Sequence, residues 1–184
     1  MNSIYLQPFL NYSDNTPPVY KHNDENGHIE PPINQIISIR DGKALSHYGD
    51  CAWDLTPYSN GKNILYFNNI LCSELIQEAK RLTYLYMTFG QGRLKTLPAG
   101  RSISIKFLAI KYLSMYAFEK NKSLFQVLEN KKLLRQFIIH IGRKSPNIAA
   151  PLKTILELLN RTSFDRSGFL YQKNKTNQKL VVFG

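Results

Sequence analysis

The chain is poor in the residues that build covalent staples and metal cages. It has two cysteines, Cys51 and Cys72, in 184 residues. That is too few for a disulfide-rich secreted scaffold and fits a reducing compartment, with a single Cys51–Cys72 bridge as the alternative. The four histidines, His22, His28, His47 and His140, have no metal-ligand spacing, so no zinc site is expected. Long hydrophobic runs are missing as well. The most apolar stretch, Ile105 to Phe118, is interrupted by Lys106 and Lys111, and no segment suffices to span a bilayer. The opening MNSIYLQPFLNYSDNTPPVY has no basic region and no uniform apolar run, so it does not read as a signal peptide. These absences point away from a secreted or membrane-spanning protein and towards the cytoplasm.

Catalytic motifs are also lacking. There is no Walker loop and no G-x-S-x-G. Gly90-Gln91-Gly92 lacks the third glycine and the preceding strand of a dinucleotide fingerprint. Asp50 and Asp54 are paired carboxylates in a loop, a common arrangement of little weight. His140 lies between apolar neighbours and reads as a core or boundary histidine. No constellation supports catalysis, and no cofactor, metal or small-molecule substrate is expected.

Negative charge is scarce in one half only. Residues 1–92 hold six Lys/Arg and nine Asp/Glu, whereas residues 93–184 hold eighteen Lys/Arg and four Asp/Glu, for a formal net charge of +11. A mildly acidic half joined to a strongly basic half points to a polyanionic partner, with nucleic acid ahead of an anionic membrane surface.

What is present reads as an irregular start followed by helices. Residues 1–35 contain Pro17-Pro18, Pro31-Pro32 and the polar patch HNDENGH, which favour extended chain and turns. The run at 36–39 suits a short strand ahead of a turn at Asp41-Gly42. Between 44 and 71, Asn60-Gly61 signals a turn and Ile64–Phe67 an apolar run. Trp53, Leu55 and Tyr58 are expected to pack onto the helical part. Residues 1–72 are thus an arm and docking segment.

Four helices are expected over 73–162. Ser73 is placed to cap Glu74–Phe89, where Leu75, Ala79, Leu82, Tyr86 and Phe89 make one apolar stripe and Gly90 and Gly92 end the helix. After a loop carrying Arg93 and Lys95, a second helix spans about Ser102–Lys120. Ile103, Phe107, Ile110 and Ala117 face inward, and Leu108, Tyr112 and Met115 widen the stripe until much of the helix is buried. Ser123 caps a third helix, Leu124–Ile141, with Lys131, Lys132, Arg135 and Gln136 outward and Gly142 as its end. Ser145 or Asn147 caps a fourth helix to about Arg161, with Pro146 and Pro151 near its first turn. Residues 163–184 read as a small hairpin, a linker or the truncated start of a further domain.

The stretch 102–160 adds a resemblance. It opens a long helix with Ser102-Ile103-Ser104 and carries Phe107, Tyr112, Tyr116 and Phe118 along it. It breaks at Asn121-Lys122-Ser123-Leu124, ends the next helix in the basic turn Gly142-Arg143-Lys144-Ser145, and closes on Ile155-Leu156-Glu157-Leu158-Leu159. This pattern resembles the core-binding, SAM-like N-terminal domain of tyrosine recombinases and phage integrases. Trp53-Asp54-Leu55 also looks like the lead-in of some integrase-like proteins. The resemblance implies a mainly α, four-helix bundle that forms one half of a clamp on duplex DNA, with room for self-association on the DNA. The family's catalytic arginines, lysine, histidine box and tyrosine nucleophile are not recognisable in the chain, and Tyr171 has no Arg–His–Arg cluster beside it, so recombinase activity would need a further catalytic domain.

Contacts in that family go mostly to phosphates, which position the protein without reading sequence. The expected contacts here are two basic helix entrances. Arg93, Lys95, Arg101, Ser102 and Ser104 form one, and Arg143, Lys144, Ser145 and Asn147 the other, with Lys106, Lys111 and Lys153 extending the patch. The alternatives are a stand-alone helical nucleic-acid-binding regulator or mobile-element accessory protein, and a non-enzymatic module whose acidic arm docks a protein.

Overall fold

A computed structural model describes residues 31–89, 99–161, 163–164 and 170–171. Two small antiparallel ribbons come first. Strands β1 (Ile36–Arg40) and β2 (Lys43–His47) form one, and β3 (Ala52–Asp54) and β4 (Ile64–Tyr66) the other. The β1–β2 turn holds Asp41 at φ +52 and Gly42 at φ +73. Two successive positive φ values match the twist of a two-residue hairpin, which Asp-Gly tolerates best. The β3–β4 register pairs Ala52 with Tyr66, Trp53 with Leu65 and Asp54 with Ile64, and a 3-10 turn at Thr56–Tyr58 lies between them.

Five α-helices follow: α1 (Ser73–Phe89), α2 (Gly100–Glu119), α3 (Leu124–Glu129), α4 (Lys131–Lys144) and α5 (Ala149–Arg161). Beyond them β5 (Ser163–Phe164) pairs with β6 (Leu170–Tyr171), a small hairpin within the tail. Residues 1–30 of the expected arm and the loop with Arg93 and Lys95 lie outside the described residues.

The ribbons and helices share one core, in which Ile37, Trp53, Leu55 and Phe67 are buried together with residues of all five helices. Trp53 is fully buried, and its ring meets Phe67 at 4.6 Å between centroids. Phe67 meets Phe107 of α2 at 4.9 Å, both pairs edge to face, the arrangement aromatic quadrupoles favour. The indole N–H points at the Tyr48 carbonyl, 3.4 Å away. Tyr48 in turn packs edge-on against Tyr84 of α1.

A polar hinge fixes the same junction. The Asn63 amide donates to Ser59 Oγ at 2.7 Å and accepts from Ser104 Oγ at 2.5 Å. Gly100 starts α2 against this turn. A Cβ on it would lie 2.0 Å from Ser59 Oγ and 2.9 Å from the Tyr58 carbonyl oxygen, so only glycine lets the helix begin there. Lys80 of α1 is buried beneath the ribbons, donating to the Gly49 carbonyl at 3.0 Å with its Nζ 5.6 Å from the Phe67 ring centroid. Burial pushes its pKa down, against an opposing pull from Cys51 and Asp50.

Several boundaries differ from the sequence reading. The expected third helix is two helices broken at Asn130. Its backbone is extended, and its side-chain oxygen accepts from Lys132 N at 3.0 Å and Leu133 N at 3.1 Å. Asparagine is among the strongest N-caps, so a new helix starts where the apolar periodicity alone runs on. Gly142 does not end α4, which continues to Lys144. Ser73 is the first residue of α1 rather than its cap. Leu108 and Met115 are 44% exposed, because α2 packs on fewer sides than its broad apolar face suggested. His140, read as a core or boundary histidine, is exposed and lies beside the Tyr116 ring. Cys51 and Cys72 are free thiols, so the alternative bridge does not form.

Trp53→Ala is expected to lower unfolding stability by about 3–5 kcal/mol, the range for emptying a buried aromatic site. Gly100→Ala is expected to destabilise by forcing the Tyr58 carbonyl and α2 apart. Urea denaturation followed by circular dichroism checks both; a variant with an unchanged midpoint would show that the ribbons contribute little to the shared core.

Candidate nucleic-acid interface

Among the described elements, α4, KKLLRQFIIHIGRK, carries five Lys/Arg and no Asp or Glu. Leu134, Phe137 and Ile141 are buried at spacings of three and four, which fixes the rotation of the helix. Lys131, Lys132, Arg135, Gln136, Ile139, His140 and Arg143 are thereby left exposed. None of the four described cations among them forms an ion pair with a described residue. Elsewhere in the described residues, Lys153 approaches Glu157 at 4.0 Å, with both exposed.

Two cations, Lys131 and Lys132, occupy the first turn of α4. That is the positive end of the helix dipole, where carboxylates are favoured and lysines are not. Asn130 already satisfies the N–H groups of Lys132 and Leu133, and the Asn130 carbonyl accepts from Leu134 N. An anion drawn to this end would therefore be held chiefly by side-chain charge.

Three contacts position the α3–α4 unit. Ser123 and Gln126 form a reciprocal capping box at the start of α3. The Glu78 carboxylate on α1 accepts from Leu124 N at 2.7 Å. The Tyr116 ring of α2 lies 5.3 Å from the Phe137 ring of α4. Burial raises the Glu78 pKa, outweighing the hydrogen bonds from Leu124 and Ser123 and the charge of Arg81. Lys122, Ser123, Phe125, Gln126, Glu129, Asn130 and Leu133 line a shallow, open cleft of about 450 Å³ along this unit.

The expected helix entrances look different in three dimensions. Ser102 is the third residue of α2, within its first turn rather than at its cap. Its N–H donates to the Ala99 carbonyl, and its hydroxyl pairs with Tyr86 OH at 2.9 Å. Ser104 serves the Asn63 hinge and the Gly100 carbonyl. Ser145 caps the C-terminus of α4, donating its N–H to Ile141 O and its hydroxyl to Tyr112 OH at 3.4 Å. Ser145 O accepts from Ile148 N within the 3-10 turn Pro146–Ile148 that precedes α5. These serines are held by the fold, so the free helix-start N–H groups expected at Ser102 and Ser145 are taken.

Of the remaining expected residues, Arg101, Arg143, Asn147 and Lys153 are exposed. Lys111 is half-buried, and Lys106 is half-buried with its Nζ 5.4 Å from the Tyr86 ring centroid. Lys144 is the last residue of α4. The residues that sequence reasoning left out of the site are Lys131, Lys132 and Arg135. Their outward spacing and the absence of acids in the segment were the available signals. Among the described residues no group of His, Cys, Asp and Glu is arranged to hold a metal ion, and no helix is long and apolar enough to cross a membrane.

No family model, curated protein or solved structure matches the chain.

Glu78 makes the α1–α3 contact sensitive to pH. A carboxyl pKa raised in the folded state contributes stability that is full below the ordinary carboxylate value and is lost as pH rises through the raised value. Glu78→Gln keeps an acceptor for Leu124 N but cannot ionise. The urea midpoint of the variant should match the parent at about pH 4 and exceed it increasingly towards pH 7; parallel profiles would show that Glu78 carries no such linkage.

Proposed function

We propose that this chain binds duplex DNA through its phosphates, with the exposed face of α4 as the principal contact. One observation carries this reading: Lys131, Lys132, Arg135 and Arg143 lie exposed on one helix that has no carboxylate. Four cations on a single outward face, with no ion-pair partner among the described residues, repel one another, and a polyanion relieves that repulsion. Two of them stand at the unfavourable end of the helix dipole, so the arrangement costs stability in the free protein. Phosphates along a duplex supply the opposing charge and release condensed counterions when bound.

The finer reading is that of a recombinase-type core-binding domain. In this reading the helices are the SAM-like bundle that the 102–160 pattern resembles, with the third helix of the pattern broken at Asn130. The chain would form one half of a clamp on DNA and perform no chemistry itself. Arg143 and Lys144 at the end of α4, with Asn147 and Lys153 beyond it, continue the contact towards α5. The contact rests on side-chain cations, because the fold already uses the N–H groups of Ser102 and Ser145.

Fluorescence anisotropy with random-sequence duplex DNA, single-stranded DNA and RNA over a salt series tests this. Duplex binding should weaken linearly in a log–log plot, with the slope falling by about 0.9 for each phosphate contact removed. Lys132→Ala, Arg135→Ala and Arg143→Ala should each weaken binding, and together abolish most of it. Absence of duplex binding at low salt, or binding unaffected by the triple variant, would overturn the reading. Preference for RNA or single strands would replace the duplex clamp with a different nucleic-acid mode.

A further inference from the structure

Helix α2 carries a second surface, apolar rather than basic. Ile105 is 40% exposed, Leu108 and Met115 44%, and Phe118 45%. Arg101 and Glu119 are exposed at the two ends of the same helix, and Tyr112 is half-buried between them. Positions 101, 105, 108, 112, 115 and 119 recur at spacings of four and three, so they form one stripe along the helix. The stripe is about 27 Å long, from the rise per residue of an α-helix. Its spacing is that of a coiled-coil seam, in which alternate three- and four-residue steps keep side chains facing a partner helix.

The stripe complements itself when reversed. Laying a second α2 antiparallel, about a two-fold axis near Ile110, sets Ile105 opposite the second copy's Met115 and Leu108 opposite its Tyr112. The same register sets Arg101 opposite the second copy's Glu119 at both ends. Each contact thus occurs twice, as a two-fold interface requires. A parallel pairing would instead set each arginine against an arginine and each glutamate against a glutamate.

The end charges give an independent reason for the antiparallel partner. Arg101 stands in the first turn of α2 and Glu119 is its last residue. Each is on the wrong end of its own helix dipole, and neither forms an ion pair with a described residue. In the antiparallel pair, Arg101 lies beside the negative end of the second helix and Glu119 beside its positive end. Both unfavourable placements become favourable at once.

We propose that the exposed stripe of α2 is the interface of a two-fold homodimer, in which antiparallel α2 helices pack Ile105, Leu108, Tyr112 and Met115 and pair Arg101 with Glu119 of the second copy. This surface is distinct from the α4 face, and the dimer does not depend on DNA binding. A single seam is smaller than the ~1,600 Å² of a standard stable interface, so the dimer dissociates on dilution. Self-repulsion from the net charge of +11 is reduced by salt.

Sedimentation velocity of the full chain from ~1 μM to ~1 mM at near-physiological ionic strength tests this. A monomer–dimer equilibrium is expected. Leu108→Glu should remove it, and Arg101→Glu or Glu119→Arg alone should raise the dissociation constant about tenfold or more. The double exchange Arg101→Glu with Glu119→Arg should restore it to near the parent value. All three positions changed by these variants are exposed, and circular dichroism confirms that each variant is folded. Should Leu108→Glu fail to fold, the charge exchange decides alone. A monomer at every concentration overturns the proposal, as does a dimer that ignores these substitutions or single exchanges that the double exchange does not rescue.

Discussion

The contact on which the rest of the structure depends is the edge-to-face run of Trp53, Phe67 and Phe107. Neither small ribbon has enough strands to stand alone in water. Their apolar side chains find cover only against α1 and α2, and Phe67 is the side chain that reaches both Trp53 and Phe107. The Asn63–Ser104 hydrogen bond and the missing Cβ of Gly100 set the start of α2 to within a side-chain contact of the same turn. With α2 fixed in this way, its inward face receives α1, α4 and α5, and the orientation of every exposed residue on the helices follows.

Charge and apolar surface are then distributed unequally. Helix α4 spends its buried face on Leu134, Phe137 and Ile141 and presents Lys131, Lys132, Arg135, Gln136, Ile139, His140 and Arg143 outward. Helix α2 keeps its strongest apolar face inside and still has Ile105, Leu108, Met115 and Phe118 outside. Both helices place charges against their own dipoles, Lys131 and Lys132 on α4, Arg101 and Glu119 on α2. Such placements lower the stability of an isolated chain. Departures of this kind collect where a surface meets a partner, which is why phosphates are proposed for the basic face and a second copy of the chain for the apolar stripe.

Some of the site was legible in the residues themselves. The outward spacing of Lys131, Lys132 and Arg135 followed from the 3.6-residue period, and the excess of cations after residue 93 needed no fold to be seen. The serines were not legible. Ser102, Ser104 and Ser145 have the residue type of phosphate ligands, yet their hydroxyls meet Tyr86, Asn63 and Tyr112, each far away in sequence. A hydroxyl takes whichever partner the tertiary structure brings near, and spacing along the chain carries no information about that choice. The break at Asn130 was missed for a related reason. The apolar period passes through it almost undisturbed, and the deciding term is a local cap whose geometry is extended rather than helical.

Local preference and periodicity by themselves determined the hairpin turn at Asp41-Gly42, the main helical segments and the lopsided charge. Each depends on neighbours within a few residues or on composition alone. Tertiary structure decided which side of α2 remains uncovered, which polar groups are satisfied internally and how the ribbons are seated on the helices. Those outcomes depend on contacts between residues dozens of positions apart. A broad apolar helix face can be covered only where another element lies against it, and the number of elements that reach α2 is a property of the whole fold.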